Sequence, residues 1–174
     1  MNAESITLEE FLANDYESYE YVKGELVPMS ITTMVHGEIS SNIVFLLGKH
    51  VRQNQLGRIY TAGTTFRIGE SGRKPDVAFV SQERLPENRN QASPIPPELA
   101  IEVVSPSDKV YDVQEKALEY LDAGTRMVWV IEPIAKTVTV YRSPNEIRIL
   151  TVNDTLTGED VIEGFQCAVT EIFE

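Results

Sequence analysis

Leu99-Ala100-Ile101-Glu102-Val103-Val104 is an apolar strand with one carboxylate set inside it. A short run of aliphatic residues fits a strand covered on both faces. A charge in such a strand is costly unless it is paired or holds a metal. Glu102 therefore marks where chemistry is to be sought. Upstream, Lys74-Pro75-Asp76-Val77-Ala78-Phe79-Val80 sets Asp76 at the mouth of a second apolar strand. Downstream, Asp108 to Ala123 reads as a helix, with Ser105-Pro106-Ser107-Asp108 expected to cap it and Gly124 to stop it. Its buried face centres on Val110, Val113, Ala117, Tyr120 and Leu121, and Lys116 stands at the edge of that face.

Around this centre the pattern alternates between strand and helix. Thr7 and Glu10 form a capping-box pair for a short helix over Ser5–Leu12. Tyr19–Val22 and Glu25–Met29 read as a hairpin turning on Lys23-Gly24, with Pro28 at an edge or a strand end. From Met34 to Asn54, His36, Ile39, Ile43, Leu46, Leu47, His50 and Val51 share one helical face. Arg58–Thr61 and Thr64–Ile68 are short strands joined at Ala62-Gly63, and Glu70–Arg73 reads as a turn. Gln82–Pro97 is a polar surface loop. Arg126–Ile131 and Thr137–Tyr141 are strands, Arg148–Val152 another, Thr157–Asp160 a turn, and Val169–Phe173 a short closing segment. No repeat or linker divides the chain, so residues 1–174 are expected to form a single α/β (α+β) domain.

Composition narrows the function. The chain has 174 residues, enough for one sizeable core. Its single cysteine makes no internal disulfide, and two histidines leave little for a zinc site. No apolar run reaches the length of a membrane span, and Met1–Ser5 lacks the features of a secretory signal; a cytoplasmic protein is expected. The formal net charge of -12 argues against an indiscriminate coat on nucleic acid. It is compatible with an enzyme that handles one phosphate at a time through a metal and local cations. Arg52, Arg58, Arg67, Arg73 and Lys74 are loosely grouped in the sequence for that purpose.

Asp76 and Glu102 lie on strands that can be neighbours. Two carboxylates brought together repel unless a cation sits between them. Hard oxygen ligands favour Mg²⁺ or Mn²⁺, and the backbone carbonyl of Val103 offers a third oxygen. The stem of Lys116 can lie on apolar surface while its ammonium reaches the site, to orient water or to stabilise phosphate charge. His36 is by position a core or capping histidine. Glu25 is by position a surface residue. Trp129 belongs to the core.

Pro75-Asp76 and Glu102-Val103-Val104 resemble the PD-(D/E)XK nuclease pattern. The wider string is more specific: Tyr19-Glu20-Tyr21-Val22-Lys23-Gly24-Glu25-Leu26, His36, Arg73-Lys74-Pro75-Asp76-Val77, Glu102–Ser107, Lys116, Tyr120 and Gly124. This set resembles the Uma-two family of restriction-endonuclease-like proteins over nearly the whole chain. The resemblance implies a restriction-endonuclease-like core, a mixed central sheet flanked by helices with an N-terminal hairpin. It also implies phosphodiester hydrolysis with a divalent metal held by Asp76, Glu102 and the Val103 carbonyl. His36 and Glu25 are then candidates for the border of the site. The general pattern has a lysine two residues after the glutamate, where this chain has Val104; the resemblance implies that Lys116 takes its place. The expected partner is DNA, bound locally and in a salt-sensitive way, and no membrane. A homodimer is a further expectation, because apolar strands near the C-terminus can pair between chains. The rival readings are a non-catalytic interaction or regulatory module on the same fold, and a metal-dependent hydrolase of another small substrate.

Overall fold

The computed structural model describes residues 6–174; the reading of Met1–Ser5 as lacking a signal, and the Ser5 end of the first helix, fall outside it. Helix α1 (Leu8–Ala13) starts at Thr7, whose side chain and that of Glu10 cap it reciprocally. Strands β1 (Tyr19–Val22) and β2 (Glu25–Pro28) form the expected hairpin. Its turn residues Lys23 and Gly24 both take positive φ, 47° and 104°, the backbone a two-residue hairpin turn requires.

Helix α2 (Met34–Gln53) is followed by β3 (Gly57–Thr61), β4 (Phe66–Ile68), β5 (Ser71–Arg73), β6 (Val77–Ser81) and β7 (Leu99–Val103). Then come helix α3 (Val110–Asp122) and strands β8 (Met127–Glu132), β9 (Thr137–Ser143), β10 (Glu146–Leu150), β11 (Thr155–Thr157) and β12 (Gln166–Ala168). The central sheet has six strands in the order β10-β9-β8-β7-β6-β3. Its one parallel pair, β7 and β8, is bridged by α3, because a parallel return needs a crossover. A second sheet of four strands runs β2-β1-β5-β4.

Alternation along the central strands divides the core in two. Val77, Phe79, Leu99, Ile101, Val103 and Trp129 face α2 through Ile39, Ile43, Leu47 and Val51. Ala78, Val80, Ala100, Val128 and Val130 face α3 through Ala117 and Tyr120. Glu102 shares the parity of Ala100, so it emerges under α3. The β11–β12 pair brings Leu156 and Cys167 onto the α2 side, where Val169 and Ile172 of the closing 3-10 turn join them.

Several expectations are corrected. Ser71–Arg73 is the buried strand β5, hydrogen-bonded to β1 and β4, rather than part of a turn. The strands at 57–61 and 66–68 follow one another but enter different sheets. Val110 is exposed rather than buried, since the first turn of α3 projects past the packed face. Asp108 does not cap α3: its carboxylate accepts from the Ser105 N–H at 2.8 Å and the Ser30 hydroxyl at 2.5 Å, leaving Lys109 as an N-cap without a side-chain bond. No helix among the described residues is long and apolar enough to cross a membrane.

Candidate active site

The site lies where β6 begins and β7 ends. Pairing between these strands stops at Val77–Ile101, so the next residues on each, Asp76 and Glu102, stand beyond the ladder. Asp76 replaces the missing strand partner: its Oδ2 accepts the Val103 N–H at 2.8 Å. The same oxygen lies 3.1 Å from His36 Nε2, at the start of α2. This contact raises the His36 pKa, against the opposing effect of burial. Among the described residues, His36 Nδ1 is buried with no partner.

Glu102 and Lys116 meet under α3. Lys116 Nζ is 3.0 Å from Glu102 Oε1, and the Tyr120 hydroxyl donates to that oxygen at 2.8 Å. The two charged side chains keep 13% and 19% exposure. Lys116 Nζ is also 3.1 Å from Oε1 of Glu20, on β1. Burial pushes the Glu102 carboxyl up to about 7, with Asp76 and Glu20 adding to the shift and Lys116 and Tyr120 opposing it. Burial works against the Lys116 ammonium too, but Glu102 and Glu20 outweigh it and hold its pKa above the ordinary lysine value. Burial alone would raise Glu20; Lys116 and Arg73 reverse that and keep it ionised.

A second tier of charge surrounds this centre. Arg73, on β5, donates to Glu20 Oε2 at 3.0 Å and grips Glu119 of α3 through two guanidinium nitrogens. Ser71 donates to the other oxygen of Glu119 at 2.5 Å. The Lys74 N–H donates to Glu20 Oε1 at 2.7 Å. Buried charges persist only in such complete networks. The four-stranded sheet is thereby fastened to α3.

Sequence reasoning names Asp76, Glu102, Val103, Lys116 and His36, and the fold gathers all five at one cleft of about 420 Å³. Glu25 lies elsewhere: it is exposed, across the hairpin from Val22, and does not line the cleft. The basic grouping dissolves. Arg67 pairs with Glu9, Arg73 with Glu20 and Glu119, and Lys74 Nζ turns to the Tyr16 carbonyl. Arg52 and Arg58 line a wider groove at the other end of α2 that has no carboxylate in its walls. Glu20 and Arg73 are the residues that sequence reasoning misses as parts of the site; the Lys23-Gly24 turn signal fixes the hairpin that carries Glu20 but says nothing of what it docks on, and β5, which carries Arg73, reads as a turn.

The donor set can be tested for a divalent cation. Among the described residues, no three His, Cys, Asp or Glu side chains cluster as a self-sufficient metal site. Mg²⁺ does not need one: it is commonly held by one or two carboxylates with waters and substrate phosphate. Asp76 Oδ1 and Glu102 Oε2 have no hydrogen-bond partner among the described residues, whereas the other oxygen of each is engaged. The Val103 N–H points toward Asp76. In an extended residue the carbonyl points to the same strand edge as the N–H, so the Val103 oxygen faces the same side. Two spare carboxylate oxygens and a carbonyl fit a hard cation.

The family model Uma2, described as "Putative restriction endonuclease", matches residues 5–170. The chain belongs to the Uma2 family. Among solved structures, this Uma2 chain is similar to one described as a putative nuclease belonging to DUF820 from Anabaena variabilis ATCC 29413. The TM-score is 0.86, with 25% identity over 97% of each chain. No curated protein matches the chain. Family and structural neighbour together mark a restriction-endonuclease-like nuclease fold.

Proposed function

We propose that this Uma2 protein is a Mg²⁺- or Mn²⁺-dependent endonuclease that hydrolyses DNA phosphodiester bonds. The observation that carries the reading is the pairing of Lys116 Nζ with Glu102 Oε1 at 3.0 Å, beside an Asp76 whose second oxygen is spare. It assembles an aspartate, a glutamate and an ammonium although the position two residues after the glutamate is Val104.

Asp76 Oδ1, Glu102 Oε2 and the Val103 carbonyl would hold the cation. When bound, it would polarise the phosphate and favour hydroxide over water at neutral pH. Lys116 stabilises charge on the phosphate oxygens and orients the attacking water. Glu20 and Tyr120 fix Lys116 and Glu102 so that neither needs to reorganise. His36 holds Asp76 from the α2 side. Binding to DNA is local and salt-sensitive, because most cations lining the cleft already have partners within the protein. A second copy would pair along the free edge of β10, where Ile147 and Ile149 are exposed; sedimentation checks this.

The test is plasmid cleavage in Mg²⁺ or Mn²⁺ by the wild type, Asp76→Ala and Glu102→Ala. Loss in both variants supports the assignment, and equal cleavage by all three overturns it. The engagement of Lys116 by Glu20 favours one rival, a nuclease-derived module without activity, since a shared ammonium is less free for a phosphate. Calorimetry with Mn²⁺ separates the two: no heat of binding at the site supports the module.

A further inference from the structure

The groove at the C-terminal end of α2 differs in charge from the rest of the molecule. It has a volume of about 1160 Å³, runs between one flank of α2 and strand β3, and contains neither Asp76 nor Glu102. Lys49, Arg52 and Arg58 all line it, with no Asp or Glu among its walls. None of the three pairs with a carboxylate among the described residues. The chain carries a formal net charge of -12. Three cations gathered without a counter-charge in such a chain present a local field that attracts an external anion.

The shape of the walls narrows the kind of anion. Around the axis of α2, Val51 and Val44 lie nearest the core, Gly48 follows, and Arg52, Phe45 and Lys49 lie outermost. Val44, Val51 and Ile59 thus make an apolar floor under a cationic rim, where Phe45 is 69% exposed. Gly48 stands inside a 20-residue helix, a position where only proline is a poorer helix former. A Cβ on Gly48 would meet nothing within 4 Å. Packing within the chain therefore does not call for glycine, and its effect is to keep this wall of the groove low.

The backbone adds a third feature. Strand β3 ends the central sheet and pairs with β6 alone. The Gln82 N–H donates to the Leu56 carbonyl at 2.9 Å, just before the ladder that begins with Gly57 opposite Ser81. Bonded and non-bonded positions alternate along an antiparallel pair. Arg58 and Tyr60 therefore bond to β6, and the N–H and C=O of Gly57 and Ile59 turn to the free edge, in the groove. There the Arg58 guanidinium donates to the Gly57 carbonyl at 2.9 Å, in the place where an adjoining strand would offer its own N–H. DNA phosphates use cations but neither a strand edge nor an apolar floor. An extended peptide uses all three.

We propose that this groove binds an extended acidic peptide segment of a partner protein, which adds to the central sheet as a strand beside β3. Main-chain groups of the peptide pair with Gly57 and Ile59. Its apolar side chains settle on Val44, Val51 and Ile59, and its carboxylates meet Lys49, Arg52 and Arg58. The groove is separate from the proposed hydrolytic centre, so the proposal does not depend on the nuclease reading.

The experiment uses the full chain and fluorescein-labelled heptapeptides followed by anisotropy. One peptide alternates Glu and Val, a second alternates Lys and Val, and a third is the Glu-Val peptide N-methylated at every central amide. The Glu-Val peptide is expected to bind, and the other two to bind about 10-fold more weakly or worse. Lys49→Glu with Arg52→Glu should weaken the Glu-Val peptide by a similar factor, and so should Gly48→Leu, which fills the wall; melting temperatures report that each variant folds. Equal binding of the Glu-Val and Lys-Val peptides, equal binding of the N-methylated form, or full binding by the charge-reversed variant overturns the proposal. A 15-base-pair duplex in Ca²⁺ that displaces the peptide, and is itself weakened by the same charge reversal, also overturns it, because the groove is then a phosphate tract. So does a wild type that dimerises in sedimentation and becomes monomeric in Gly48→Leu, because the occupant is then a second copy.

Discussion

Lys116 Nζ lies between two carboxylates, 3.0 Å from Glu102 on β7 and 3.1 Å from Glu20 on β1. The ammonium is thus a structural keystone between the two sheets as well as the proposed partner of the phosphate. Lys116→Met removes a buried cation, leaving Glu102 with the Tyr120 hydroxyl and Glu20 with Arg73 and the Lys74 N–H. The expected loss is about 3–5 kcal/mol in urea unfolding at neutral pH. Adding Glu20→Gln should recover part of it, because the neutral amide no longer needs the ammonium. If the double variant loses as much as the two single variants summed, Lys116 and Glu20 are not coupled in stability.

The raised Glu102 pKa sets a sign for pH dependence in metal-free protein. Its folded value is about 7 against an unfolded value of 4.5. Between these the folded state binds more protons than the unfolded one, so this group's contribution to stability falls as pH rises from 4.5 to 7. Glu102→Gln does not titrate. The variant's stability relative to wild type should therefore increase across that window, read as the difference between two unfolding curves in EDTA. A flat difference would mean that Glu102 is already ionised throughout.

Val104 occupies the place where a lysine would follow the glutamate by two residues, and it shares the parity of Glu102 along the chain. Lys116→Ala is expected to abolish Mg²⁺-dependent plasmid cleavage. Val104→Lys in that background should restore part of it, because an ammonium would approach the same carboxylate from the neighbouring position. No recovery, in a variant shown by circular dichroism to fold, would tie the function to delivery of the lysine from α3.

Gly72 is set by close approach. A Cβ there would stand 2.6 Å from the Phe11 ring, which also stacks on Tyr16 at 5.2 Å between centroids. Gly72→Ala should destabilise by about 1–3 kcal/mol through overpacking, seen as a lower melting temperature. Shortening the ring with Phe11→Leu should return some of that loss.

The contrast between Glu102 and Glu20 shows what is legible in this sequence. Glu102 interrupts a run of aliphatic residues, so its cost is visible in one dimension. Lys116 is legible for a similar reason, as a cation at the edge of an apolar stripe. Glu20 sits between tyrosines in a hairpin whose register can be read, but its partners come from β5 and α3. Strand β5 has no apolar residue in Ser71-Gly72-Arg73 and reads as a turn; its burial comes from Glu119 and Glu20 satisfying Ser71 and Arg73. Hydrophobic period cannot reveal a strand buried by polar pairing. The same blindness puts Asp108 on the helix it precedes, whereas a distant Ser30 and its own turn claim the carboxylate.

The fastening of Glu20, Arg73, Lys116 and Glu119 has a consequence for the order of synthesis. Its members come from β1, β5 and α3, the last of them well past the midpoint of the chain. While the ribosome is still making the first hundred residues, the hairpin and β5 have acidic and basic groups with no completed circuit to enter. The N-terminal sheet lacks its buried counter-charges from α3 until that helix has been made. A nascent or truncated chain ending before Lys116 carries Glu20 and Glu102 without the ammonium that joins them.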